Sequence, residues 1–119
     1  MKKTLVLGAS TNPHRYSNMA AHKLAQHGHE IILVGKRPGE VLGLPILQEW
    51  PAHETIHTIT LYLSPGNQQD YYDAILQSGA QRLIFNPGTE NEELMGRAKS
   101  AGIAVEQACT LVLLTLGAY

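Results

Sequence analysis

The residues Gly8-Ala9-Ser10-Thr11-Asn12-Pro13 follow the apolar run Thr4-Leu5-Val6-Leu7 and precede an amphipathic stretch that begins near Ser17. A short strand, a glycine turn and a helix start, in that order, bring free backbone N–H groups and the positive end of a helix dipole to one place. That is how α/β proteins hold phosphate. Ser10, Thr11, Asn12 and Arg15 can each add a side-chain donor. The turn is not G-x-G-x-x-G, because the glycine after Gly8 is Gly28, so the dinucleotide fingerprint fails. At the end of the next apolar run, Ile31–Val34, a domain that uses NAD carries an acid for the ribose hydroxyls. This chain has Gly35-Lys36-Arg37 there. A basic strand end facing a phosphate-holding turn predicts a nucleotide with an extra phosphate on its ribose.

Other chemistry-bearing residues carry less. His53-Glu54-Thr55-Ile56-His57 matches H-E-x-x-H, which binds zinc only when a helix puts both imidazoles on one face. Pro51 lies just upstream, and Thr55, Ile56, Thr58, Ile59 and Thr60 are β-branched, so an extended chain without metal is expected there. His14, His22, His27 and His29 are scattered and expected to be exposed. Cys109 has no histidine at a nucleophile's spacing, and Ser10 is not in a G-x-S-x-G elbow. With no persuasive acid–base pair, no catalytic residue is assigned, and a binding domain without complete catalytic machinery is expected.

The elements that must position these residues alternate between strand and helix. After the strand Thr4–Leu7, a helix is expected over residues 17–27, with Ala20, Ala21, Leu24 and Ala25 on one face and Gly28 as its stop. Ile31–Val34 is the next strand, and Leu44–Leu47 is a short edge strand followed by a helical turn over 48–50. A strand over 59–63, a helix over 68–78 and the strand Arg82–Phe85 come next. Asn91 caps a helix over 92–101, then a strand over 103–105 and a short terminal helix over 111–116 end the chain. This alternation predicts an α/β fold. It is a single doubly wound Rossmann-like domain over residues 1–119, a mostly parallel sheet in the order 3-2-1-4-5-6 with helices on both faces. The chain reverses direction between the first strand and the strand at 59–63, so a crevice opens at their carboxyl ends. The first loop, Lys36-Arg37, Ser64-Pro65-Gly66 and Asn86-Pro87-Gly88 surround it.

Composition narrows the partners. At 119 residues the chain is long enough for one core and too short for a separate substrate domain. A net charge of −1, with 16% charged residues in no run of one sign, lacks the basic face that nucleic acid or an anionic membrane surface requires. Met1-Lys2-Lys3 leads into an apolar run too short for a signal peptide or a span, and the single Cys109 excludes an internal disulfide. A cytoplasmic location is expected. The apolar tail Leu111 to Leu114, Leu116 and Tyr119 is either core or a subunit contact, which leaves a homo-oligomer or a partner protein open.

The order Leu7-Gly8-Ala9-Ser10-Thr11-Asn12-Pro13, then Arg15 to Ser17, Val34-Gly35-Lys36-Arg37 and Glu40-Val41-Leu42-Gly43-Leu44-Pro45 resembles the small stand-alone CoA-binding domain family. It is similar to the N-terminal CoA-binding domain of the succinyl-CoA synthetase alpha subunit. The likeness continues through Leu61-Tyr62-Leu63-Ser64-Pro65, Asn86-Pro87-Gly88 with Glu90-Asn91-Glu92-Glu93, and the region of Cys109. The resemblance implies that CoA or an acyl-CoA is cradled by Gly8, Ala9, Ser10, Thr11, Asn12, Arg15, Ser17, Lys36, Arg37, Ser64, Pro65, Asn86, Pro87 and Gly88. It also implies that the 3′-phosphate of CoA meets Lys36 and Arg37. In the synthetase a second domain carries the phosphorylated histidine and a partner subunit activates the nucleotide. Ligand binding without thioester formation is therefore the expectation here. NADP, whose 2′-phosphate would use the same basic pair, is the alternative ligand. A ligand-free interaction module working through the apolar C-terminus is the alternative of a different class.

Overall fold

Short strands that are apolar at nearly every position can be buried on both faces only inside a covered sheet. The computed structural model, which describes residues Met1–Tyr119, places them there. β1 (Thr4–Leu7), β5 (Thr58–Leu61) and β6 (Arg82–Phe85) are buried at every position, and β2 (Ile31–Val34) at all but one. With β3 (Glu40–Val41), β4 (Leu44–Leu47) and β7 (Ala104–Gln107) they form a seven-stranded sheet in the order β3-β4-β2-β1-β5-β6-β7. Every pairing is parallel except β3 with β4. Leu7 is in register with Val34 and Leu61, and Leu61 with Phe85, so the central strands end in one row and their loops leave the same edge.

The helices are α1 (Tyr16–Gln26), α2 (Pro65–Gln68), α3 (Tyr72–Gln77), α4 (Glu92–Ser100) and α5 (Thr110–Thr115). Side chains alternate along a strand, so each strand feeds two cores. Leu5, Leu7, Ile59, Leu61, Leu83 and Phe85 pack with Ile75 of α3 and Leu94 and Ala98 of α4. Val6, Leu33 and Ile84 turn the other way, onto Ala21 and Leu24 of α1, Leu114 of α5 and Tyr119. Each large apolar side chain fully buried in this way contributes roughly 1.5–3 kcal/mol. No helix is long and apolar enough to cross a membrane.

The Rossmann-like fold class and the order of the six expected strands are as read from the sequence, and the differences have local causes. β3 was not foreseen. Leu42 and Gly43 both take positive φ (56° and 75°), the tight-hairpin geometry that folds Glu40–Val41 back on Leu44 and Pro45. Residues 48–50 form a bend and not a helical turn, because the Gln48 side chain donates back to the Ile46 carbonyl at 2.7 Å. The helix expected from residue 68 begins at Pro65, a residue pre-set for a first helical turn, and is interrupted by a 3-10 turn over Gln69–Tyr71. The interruption follows from Gln68, which is fully buried and donates to the carbonyls of Leu63 and Thr89, both at 2.8 Å. Ala25 faces solvent, and His29, expected to be exposed, is half-buried against Tyr119 with ring centroids 4.9 Å apart. The apolar tail divides: Leu114 and Tyr119 are core, whereas Val112 and Leu116 are exposed.

Candidate functional site

At the carboxyl edge β1 runs into Gly8, whose φ of +99° is strained for any L side chain. A Cβ there would also lie 3.1 Å from Leu63 Cδ2 and from the backbone carbon of Tyr62. The amides of Gly8 and Ala9 both donate to the Val34 carbonyl, at 2.8 and 3.0 Å. This corrects the expectation that the amides of this turn are free. The free ones come later. Ser10, Thr11 and the first helical residues, Tyr16 and Ser17, have amides with no acceptor in the protein. Local bonds hold the loop in shape: Asn12 N to Ser10 Oγ at 3.1 Å, His14 N to Asn12 Oδ1 at 2.9 Å, and Asn18 Nδ2 to the Ser10 carbonyl at 2.9 Å.

α1 opens without a cap. Its N-cap residue is Arg15, which makes no side-chain capping bond, and its first turn holds no acid. The positive end of the helix dipole and the unpartnered amides therefore point at the same space, together with a cation. The basic loop after β2 closes one side. A Cβ on Gly35 would sit 2.6 Å from the Ala9 carbonyl oxygen, so only glycine allows this loop to lie against the first one.

The resulting crevice encloses about 680 Å³, the size of a small-molecule site. Of the residues singled out from the sequence, the structure brings Gly8, Ala9, Ser10, Thr11, Asn12, Arg15, Ser17, Lys36, Arg37, Ser64, Pro87 and Gly88 together in its lining. Arg15, Lys36 and Arg37 form no ion pair, in contrast to Lys3, Arg82 and Arg97 elsewhere. Lys36 Nζ donates to Asn67 Oδ1 at 2.8 Å, and Asn67 Nδ2 to Ser64 Oγ at 2.9 Å. Glu90 Oε1 accepts from the Gly88 amide at 2.8 Å, so in the loop after β6 a carboxylate already occupies that amide.

Two expected site residues do not line the crevice. Asn86 is buried beneath it: its Nδ2 donates to Thr60 Oγ1 (2.7 Å) and the Leu61 carbonyl (2.9 Å), and its Oδ1 accepts from the Thr110 amide (2.8 Å). It fixes the loop that presents Pro87 and Gly88. Pro65 faces solvent as the first residue of α2. Tyr16, Pro38, Ile46, Tyr62, Leu63, Asn67 and Thr89 line the crevice without having been singled out. Asn67 had a legible signal, since it stands three residues after Ser64 at a helix start. Burial pushes the Tyr62 phenol up to about 12, against the opposing pull of the neighbouring Thr110 and Thr60 hydroxyls.

The H-E-x-x-H stretch lies at the opposite edge. It is a turn and then extended chain; Ile56 enters the core, and His57 Nδ1 shares a 2.7 Å hydrogen bond with the Thr58 hydroxyl. Cys109 is half-buried and free.

A family model described as a CoA binding domain matches residues 2–115. A solved structure of an uncharacterized protein is 50% identical, with a TM-score of 0.98, and the match covers 100% of this chain and 98% of the other. A hypothetical protein from Pyrococcus horikoshii is 25% identical at a TM-score of 0.85, over 97% of this chain and 83% of that one. The fold, at 19% identity and a TM-score of 0.75, recurs in a dinucleotide-forming acetyl-coenzyme A synthetase 1 of Candidatus Korarchaeum cryptofilum, where 90% of this chain matches 25% of the larger protein. No curated protein matches the chain.

Proposed function

The chain belongs to the CoA-binding domain family, and from that premise we propose that it holds CoA or an acyl-CoA in the crevice at the carboxyl edge of its sheet. The observation that carries this reading is the open start of α1. An uncapped helix end with unpartnered amides at Tyr16 and Ser17, beside three cations without carboxylate partners, calls for an anion from outside the protein. The diphosphate of CoA fits that place. The basic loop after β2 takes the phosphate on the ribose, and the pantetheine arm runs toward Ser64 and the loop of Pro87 and Gly88, where charge is lower. The half-buried free Cys109 accords with a reducing compartment such as the cytoplasm.

Titration calorimetry with CoA, 3′-dephospho-CoA and NADPH tests the reading. CoA is expected to bind, and its dephospho form to bind about 1–3 kcal/mol more weakly. Binding of NADPH without CoA would replace CoA by NADP as the ligand.

A further inference from the structure

Lys36 and Arg37 are neighbours in sequence but occupy different places. Lys36 follows β2, yet its ammonium donates to Asn67 Oδ1 at 2.8 Å, on α2 beyond the end of β5. β1 lies between β2 and β5, so the Lys36–Asn67 pair links the chain after β2 to the chain after β5, two strand spacings or roughly 10 Å apart. Asn67 is itself fixed, its Nδ2 to Ser64 Oγ and its amide to the Ser64 carbonyl, each at 2.9 Å. Arg37 is in no ion pair and stays at the end of β2 beside Pro38.

In a doubly wound domain the diphosphate lies over the loop after the first strand and the ribose at the end of the second. We infer that the two cations divide the ligand: Lys36, positioned by Asn67, takes the diphosphate, and Arg37 alone reads the extra phosphate on the ribose. The inference rests on the reading of the crevice as a CoA site. Asparagine suits the positioning role. Its side-chain carbonyl orders a flexible lysine without neutralising it, and a charged phosphate oxygen is the stronger acceptor when it arrives. A carboxylate at the same position would hold the ammonium as an ion pair and repel the ligand.

The test is the affinity of CoA and of 3′-dephospho-CoA for the wild-type chain and for Lys36→Ala, Arg37→Ala, Asn67→Ala and Asn67→Asp, with thermal melting to show each variant folded; all three positions are exposed. Arg37→Ala is expected to weaken CoA about tenfold or more and to leave dephospho-CoA unchanged, which erases the preference between them. Lys36→Ala is expected to weaken both by the same factor and to preserve the preference. Asn67→Ala should weaken both by less, with no further effect once Lys36 is alanine, and Asn67→Asp should weaken both by more than Asn67→Ala. Loss of the preference in Lys36→Ala, or its retention in Arg37→Ala, overturns the division. So does equal affinity of the wild-type chain for the two ligands, which leaves the CoA reading standing. A wild-type chain that binds neither overturns the reading of the crevice and the division with it.

Discussion

Two helices start at the same edge of the sheet and are finished in opposite ways. α4, after β6, is closed from within: Asn91 Oδ1 accepts from the Leu94 amide at 3.2 Å, and Glu92 and Glu93 stand in its first turn. Asn91 Nδ2 in turn reaches Gln68 Oε1 (2.9 Å) and the Tyr72 hydroxyl (2.8 Å), which ties the cap into buried structure. α1, after β1, has an arginine where α4 has its cap and no acid in its first turn. A cation at the positive end of a helix is a locally unfavourable choice. Local rules broken at one place and kept at its counterpart are the pattern expected of a functional site, and under the proposed function an external anion completes the helix.

The sharpest way to break this comparison is Gly8→Val, which puts a branched side chain at positive φ against Tyr62 and Leu63. CoA binding is expected to be abolished in a chain that circular dichroism shows to be folded. The backbone strain of about 1–3 kcal/mol makes Gly8→Ala the companion variant, with the same direction of effect. A folded Gly8→Val chain that binds CoA normally would place the ligand elsewhere.

Removing the α4 cap should act on stability alone. Asn91→Ala loses the capping bond and leaves Gln68 and Tyr72 short of a partner, an expected loss of about 1–3 kcal/mol in denaturant unfolding with CoA affinity unchanged. A change in affinity comparable to the change in stability would mean that the two helix starts are not separate in function.

The converse change sharpens the contrast. Arg15→Asp gives α1 the cap and the negative charge it lacks, so unfolding free energy should rise by about 1 kcal/mol while CoA binding weakens. Thermal melting and calorimetry on the same sample read both effects. A variant that gains stability and keeps its affinity would remove the anion from the start of α1.

The smallest expected effect lies at the amino edge, away from the crevice. Burial, and then the positive N-terminus, Lys2, His27 and Arg82, hold His29 below its ordinary pKa; burial, and then Arg82, Lys2 and the N-terminus, do the same for His57. The Lys2 amide donates to His29 Nδ1 at 2.9 Å, which requires that nitrogen to be unprotonated. The unfolded chain takes up these protons first as pH falls through about 6.5, so their contribution to stability is present above that value and declines below it. The acid-induced drop in melting temperature should shrink in His29→Gln and His57→Gln, and an unchanged drop would assign it to other groups.

Much of this was legible in the sequence because it depends on near neighbours. Strand and helix alternation, the glycine after β1, Lys36-Arg37 at the end of β2 and the Asn91 cap are all written in residues a few positions apart. With right-handed crossovers, they are enough to set the order of the six main strands and the edge where the crevice opens. The family resemblance rests on the same local order, and the match over residues 2–115 agrees with it.

What only the tertiary structure decided is which polar groups remain for a ligand after the protein has used its own. The amides of Gly8 and Ala9 both go to the Val34 carbonyl, a use of donors that the expected pairing of the two strands did not reveal. Asn86, a loop residue by sequence, is drawn inward because Thr60, Leu61 and Thr110 converge on it from two other elements. Asn67 reaches the crevice from α2 and meets Lys36 there, although β1 lies between the strands that carry them. Sequence spacing specifies where chain segments turn. The competition among donors and acceptors is settled only when distant segments meet, since each hydrogen bond needs both partners within about 3 Å.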